Sequence, residues 1–278
     1  MRLELHCHST CSDGSLSPTE LATRAAQWGV ELFCLTDHDT LAGYEESKVA
    51  LTGLKPKRIL RGLELSCKWE KRNIHLLVYQ VLPQHDQDLR RCLELRLLER
   101  QERQLKIVDR LLSLGFEIDG AALLTRAEGR TPGRPDVAKA LVEAGICSSI
   151  REAFDRFLRD GGPADVPMEG LQIQEALELC SAAGAKVSLA HPHTLKHPDL
   201  VRELLLSHRE RGLTGLEAGY GRYTHKQRRS WTRMADELGV VVTGGSDFHG
   251  DAVPQVTHPG IDFDNTRTSV LLHWLECQ

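Results

Sequence analysis

The sequence predicts an α/β protein, a distorted (β/α)7 TIM-like barrel with an inserted helical cap, and three observations carry that prediction. Seven short β-type runs recur along the 278 residues, helix-type segments follow most of them, and the stretch 86–167 carries helices but no convincing strand. Strands alternating with helices imply parallel pairing through crossover connections.

Taken in order, the first strand is expected over 2–6. A helix follows at Ser17-Pro18-Thr19-Glu20, where a serine N-cap precedes a proline in the first turn, and it closes near Gly29. Strand-type runs come next at 31–36, 58–64 and 74–81, with a helix over 41–51. A long charged helix is expected over 86–114, its apolar stripe Leu89, Leu93, Leu97, Leu105, Val108 and Leu112 interrupted by Gln101. Shorter helices follow around 134–144 and 149–158, and the dense arginine and glutamate of this region reads as a solvated face. Strands over 186–190, 215–218 and 240–243 then alternate with helices over 172–183, 198–211 and 225–238. The barrel is therefore discontinuous, 1–85 with 168–278, around a cap of 86–167; about 25 terminal residues carry no strong pattern.

Thirty-five Lys and Arg against 39 Asp and Glu give a net charge of -4, which excludes the global basic field of a non-specific duplex-DNA binder. Apolar runs such as 76–79 fall well short of the ~18 residues of a membrane span. Residues 1–6 do not read as a secretory signal, so a cytoplasmic protein without membrane partners is expected. The eight cysteines have no CxxC spacing and read as reduced, buried thiols.

The informative polar residues stand where the apolar runs end. Strand one runs into His6-Cys7-His8 and then Ser12-Asp13-Gly14, strand two into Asp37-His38-Asp39, and strand three ends in Glu64. His75 opens or lies within strand four, strand five runs into His191-Pro192-His193, and the last strand into Ser246-Asp247-Phe248-His249. In a barrel such ends converge on one rim. The period of two puts His6 and His8 on one face of an extended strand and turns Cys7 away. One such pair could be two structural histidines. Imidazoles with carboxylates at four strand ends point instead to metal ions, because buried polar groups need partners and this donor set suits Mn(II), Fe(II) or Zn(II).

These motifs, with Gly62-Leu63-Glu64 and Ala190-His191-Pro192, resemble the successive motifs of the PHP (polymerase and histidinol phosphatase) family of metal-dependent phosphoesterases, over 1–85 and 170–250. The inserted cap, with Gly133-Arg134-Pro135 opening a helix, resembles the branch that holds nucleoside 3',5'-bisphosphate phosphatases and 5'-to-3' exoribonucleases of the RNase AM type. The resemblance implies three divalent ions, manganese most often and iron or zinc in some members. His6, His8, Glu64 and Asp247 would hold one, Asp13, His38 and His249 a second, and bridging Glu64 with His75 and His191 a third. It implies a hydroxide bridging two metals that attacks the 3'-phosphate of a nucleoside 3',5'-bisphosphate, such as pAp to AMP, and short 5'-phosphorylated RNA in the 5'-to-3' direction.

His193 is the candidate general acid, with a supporting or surface role as the alternative, and Asp13 and His249 are counted with it as catalytic. One of Asp37 and Asp39 is expected to orient an imidazole, or Asp39 to cap the following helix. Arg130 and Arg134 are candidate grips for a second phosphate, with solvated loop arginines as the alternative. Asp136 stands where the branch often has histidine, and 217–223 departs from its aromatic, proline-rich loop. Tyr220 and Tyr223 read as structural aromatics rather than base-stacking groups, and His85, His208, His258 and His273 as surface residues. Two other functions remain open: a histidinol-phosphate-type or other small-molecule phosphatase, and a non-catalytic metal-binding module, against which the filled ligand positions speak.

Overall fold

A computed structural model describes residues 1–54 and 58–277. These divide into two compact units, Met1–Arg91 with Gly170–Gln278 and Cys92–Glu169. In chain order the elements are β1 (Arg2–Glu4), α1 (Pro18–Gln27), β2 (Leu32–Leu35), α2 (Tyr44–Ala50), β3 (Arg58–Arg61), β4 (Leu63–Trp69), β5 (Arg72–Tyr79), α3 (Gln87–Ser113), α4 (Gly120–Arg126), α5 (Arg134–Glu143) and α6 (Ile150–Ala153). They continue with β6 (Leu171–Gln172), α7 (Ile173–Ala182), β7 (Lys186–Leu189), α8 (Pro198–His208), β8 (Leu213–Tyr220), α9 (His225–Leu238), β9 (Val241–Gly245), β10 (Ile261–Asp262) and α10 (Asn265–Glu276).

The first unit is a mixed α/β fold whose strands form two sheets, ordered β10-β1-β2-β3 and β6-β4-β5-β7-β8-β9. Among the described residues neither sheet closes, so the expected barrel ladder is not found; two isolated parallel bridges, Cys7 to Phe248 and His38 to Glu64, link the sheets. A buried carboxylate explains the opening on one side. Glu4 accepts the N–H groups of His6 at 3.0 Å, Ser246 at 2.9 Å and Gly260 at 2.6 Å, together with the Ser246 hydroxyl, and the first two are main-chain donors that a β1–β9 ladder would have used.

The strand expected over 58–64 divides at Gly62. A Cβ there would lie 2.6 Å from Cys34 Sγ and closer still to the Val78 carbonyl, so glycine lets the chain leave one sheet and enter the other. Parallel pairing holds for β1-β2-β3, β4-β6 and β7-β8-β9, but β5 runs antiparallel to both β4 and β7, because the tight turn at Glu70 (φ 54°) and Lys71 returns the chain directly. The terminal stretch that lacked a pattern adds β10, antiparallel to β1, and α10. The Ser17 N-cap forms as read, accepting from Glu20 N–H, and Glu20 reaches back to Ser17 N–H to complete a capping box.

The second unit packs Ile107, Leu111, Leu123, Val137, Leu141, Phe157 and Leu158 into its own core. Its helix α4, capped by Asp119, was not expected. The expected stripe along α3 is also displaced: Leu105 and Leu112 are exposed, whereas Arg96 and Gln104 are buried with Leu89, Leu93, Ile107 and Leu111. Arginine can enter such a face because its methylene stem is apolar and its head finds carbonyls. Arg103 donates to Val166 O at 2.7 Å and lies 3.4 Å from Asp165, so this face is not merely solvated.

All eight cysteines are free, and Cys7, Cys34, Cys67, Cys147 and Cys180 are buried. No helix of the described residues is long and apolar enough to cross a membrane.

Candidate metal centre

Beyond Glu4 the chain stays extended. Cys7 turns into the core with Leu21, Phe33 and Phe248, while the His6 and His8 rings lie 5.3 Å apart. Three non-glycine residues among or beside the other candidate donors take left-handed backbone conformations: Asp39 (φ 50°), His191 (φ 26°) and Asp247 (φ 57°). Such conformations cost free energy and persist where surrounding contacts over-determine them.

Glu64 is the hub. Its Oε2 lies 3.2 Å from His6 Nε2, 3.1 Å from His8 Nε2 and 3.2 Å from His38 Nδ1. Its Oε1 lies 2.7 Å from His75 Nδ1 and 2.8 Å from His191 Nε2. Asp247 Oδ1 stands 3.3 Å from His6 Nε2 and 3.4 Å from His8 Nε2, and Asp13 Oδ1 3.4 Å from His249 Nε2. The nine side chains singled out in the sequence fall into four overlapping sets whose donor atoms lie within 4.8 Å of one another: His8-Asp13-His38-His249, His6-His8-Asp247, His6-Glu64-His191 and His38-Glu64-His75.

His6 Nε2, His8 Nε2 and His38 Nδ1 are buried without a hydrogen-bond partner among the described residues, although each faces Glu64 Oε2. Leaving a buried polar atom unmet costs about 1–3 kcal/mol, and lone pairs and carboxylates converging on one space suit a divalent cation. The residues therefore fit the metal that their types suggest.

Carboxylates and imidazoles also act strongly on one another here. Burial alone would raise the Glu64 and Asp247 carboxyls, but the surrounding imidazoles hold both well below the usual range. Burial would depress His8, yet Asp247, Glu64 and Asp13 together push it up to about 10. Burial dominates at His38 and pushes it down to about 3, with Glu64 and Asp13 opposing and His8 and His75 assisting.

Other side chains reach the centre to which the sequence did not assign them. Glu217, fully buried on β8, lies 2.8 Å from His6 Nδ1 and accepts the His191 N–H at 2.6 Å; its signal was an acid inside an apolar run. Tyr220 donates to Asp247 Oδ2 at 2.7 Å, and the Arg222 guanidinium bonds the Tyr220 hydroxyl and stands 3.3 Å from Asp247. Tyr220 and Tyr223 are both buried.

His193 is 2.8 Å from the Tyr223 hydroxyl through Nδ1; burial, then His191 and Arg222, hold its pKa below the ordinary value. Asp37 accepts Ser9 N–H at 2.7 Å and both the Ser9 and Ser12 hydroxyls at 2.6 Å, ordering the loop after His8. Asp39 accepts Ser66 N–H at 2.7 Å and does not cap α2, whose N-cap is Gly43. His208 is buried, not a surface residue, its Nδ1 3.0 Å from Leu204 O.

Arg130 and Arg134 belong to the second unit and bond there. Arg130 pairs with Asp136 at 2.5 Å, and Arg134 with Asp160 at 2.6 Å and the Leu158 carbonyl at 2.9 Å. Asp136, the departure noted in the sequence, also accepts Gly133 N–H at 2.7 Å at the start of α5. Burial, with Arg134 and Arg100 nearby, pushes Arg103 down to about 10.

Residues 4–159 match the PHP domain. A 5'-3' exoribonuclease of Haemophilus influenzae is 36% identical over 251 residues, 89% of this chain and 90% of that protein. A 3',5'-nucleoside bisphosphate phosphatase of Chromobacterium violaceum is 28% identical over 256 residues, 89% of this chain and 87% of that protein. A solved structure from Bifidobacterium adolescentis, described as a candidate metal-dependent phosphoesterase, superposes with a TM-score of 0.82 at 28% identity, covering 97% of this chain and 94% of the other.

Proposed function

Because the chain belongs to the PHP domain family, we propose that it is a cytoplasmic, metal-dependent phosphoesterase that removes the 3'-phosphate of nucleoside 3',5'-bisphosphates and trims short 5'-phosphorylated RNA from its 5' end. The convergence of nine imidazole and carboxylate side chains on Glu64 and its neighbours carries this reading. On it, the two sheets are the halves of a (β/α)7 barrel opened at Glu4. His6, His8, Asp13, His38, Glu64, His75, His191, Asp247 and His249 hold three divalent ions, manganese before iron or zinc. Such ions, when bound, polarise phosphoryl oxygens and lower the pKa of water.

The chain's own groups do the rest. Tyr220 and Arg222 fix the second oxygen of Asp247, leaving Oδ1 toward the imidazoles. His193, held by Tyr223, delivers a proton to the leaving oxygen, and Arg130 and Arg134 take the second phosphate.

Assays with added Mn2+ on pAp, short 5'-phosphorylated RNA, histidinol phosphate and a generic monophosphate test the reading. Turnover of the first two is expected; turnover of histidinol phosphate alone selects a small-molecule phosphatase, and failure on all four a binding module.

His193→Ala should lower kcat about 100- to 10,000-fold on a ribose-phosphate ester while manganese content stays unchanged. An equal loss on an aryl ester, whose leaving group needs no proton, removes the acid role. Arg134→Ala should raise KM for pAp about 10- to 100-fold, the loss of one charge-assisted contact, with little effect on a monophosphate. Equal effects on both substrates remove the specificity role, and a melting curve checks that losing the Asp160 and Leu158 contacts has not unfolded the cap.

A further inference from the structure

We propose that Glu217 is a positioning residue that selects the metal-binding tautomer of His6 and anchors His191, so that one buried carboxylate on β8 governs donors in two of the four sets. The inference rests on reading the centre as a metal site. His6 Nδ1 lies 2.8 Å from Glu217 Oε1, and Glu217 Oε2 accepts the His191 N–H at 2.6 Å. A carboxylate can only accept hydrogen bonds, so His6 must carry its proton on Nδ1. That leaves Nε2 as the ring nitrogen able to meet a cation; it faces Glu64 at 3.2 Å and Asp247 at 3.3 Å and has no hydrogen-bond partner among the described residues.

At His191 the same carboxylate fixes a main chain in the left-handed region, φ 26° and ψ 64°, which a side chain with a Cβ seldom adopts. His6 follows β1 in one sheet and His191 follows β7 in the other, with Glu217 bonded to both. Removing this bond frees the imidazole to present a proton where a lone pair is required. It also releases the backbone that aims His191.

Glu217→Gln separates positioning from packing because it keeps shape and volume. Its amide has one accepting oxygen and one donating NH2. The His191 N–H has no second protonation state and must take the oxygen, so the NH2 faces His6 Nδ1 and favours a lone pair there, with the proton on Nε2.

Calorimetric titration with Mn2+ and imidazole 15N–1H correlation spectra of the Zn2+-loaded protein read both effects. The expected result is a wild type with Nδ1–H and a zinc-bound Nε2 at His6, and an E217Q protein of near-wild-type Tm whose Mn2+ affinity is about 10- to 100-fold weaker and whose His6 Nε2 is not metal-bound.

If E217Q binds Mn2+ as wild type does, or only melts earlier with the affinity of its folded fraction unchanged, Glu217 is merely structural and the proposal is overturned. Should E217Q not fold, a zinc-loaded wild type with the His6 proton on Nε2, or with Nδ1 as the ligand, overturns it, and Nδ1–H with a zinc-bound Nε2 sustains it. A wild type that binds neither ion overturns the metal reading itself, and the proposal falls with it.

Discussion

Glu64→Gln is expected to lower kcat more than about a thousandfold, roughly 4 kcal/mol of transition-state stabilisation, and to destabilise the metal-free protein at the same time. Five imidazoles lie within 3.2 Å of the two Glu64 oxygens. Glutamine removes the charge that balances them and turns a donating NH2 toward some of the same nitrogens. Removing one member of a buried ion pair costs about 3–5 kcal/mol because the partner is left uncompensated. For a chain of this size that corresponds to a Tm lower by about 10 °C. Saturating-Mn2+ kinetics and calorimetry of the metal-free protein check the two halves. A variant retaining a tenth of wild-type turnover would remove Glu64 from the centre of the chemistry.

Gly245→Ala should be nearly as damaging without touching a donor. An added Cβ would stand 2.5 Å from His6 Cβ and 2.7 Å from Glu4 Oε1, and closer still to the His6 nitrogen. Neither side can yield cheaply. Gly245 pairs with Tyr220 and accepts the Gly221 N–H at 2.8 Å, while Asp247 N–H donates to His6 O at 2.7 Å. Overpacking usually costs about 1–3 kcal/mol; with backbone on both sides, more than about 3 kcal/mol is expected, together with weakened Mn2+ binding as β1 is displaced. Denaturant unfolding and metal titration measure both. Gly120→Ala, where the new Cβ would meet Leu105 and Val108 at 3.4 Å or more, is the tolerant control. Equal stability of the two variants would show that β1 can move freely.

The clustered side chains were legible in the sequence because all but Asp13, which lies in the turn after the first run, end an apolar run or lie in the strand beside one, and local motifs report such positions directly. Glu217 was not, since its partners lie 211 and 26 residues away and only the fold brings them together. The parallel-sheet core was legible from alternation, whereas its opening on one side depends on Glu4, whose four donors come from residues 6, 246 and 260. Periodicity misplaced the buried face of α3 because it scores arginine as polar, although Arg96 is buried and Arg103 bonds a main-chain carbonyl.

The opening at Glu4 has a thermodynamic side. Of the nine donors, His6, His8, Asp13 and His38 follow strands of one sheet, while Glu64, His75, His191, Asp247 and His249 lie on or follow strands of the other. On the proposed reading, ions shared among them cross-link the sheets where only two isolated backbone bridges join them, as rivets close a seam. Metal occupancy then becomes a term in the folding equilibrium, worth about 2.7 kcal/mol at a hundredfold excess over Kd. A cell that withdraws its divalent ions would thereby shorten the lifetime of the folded chain as well as silence it.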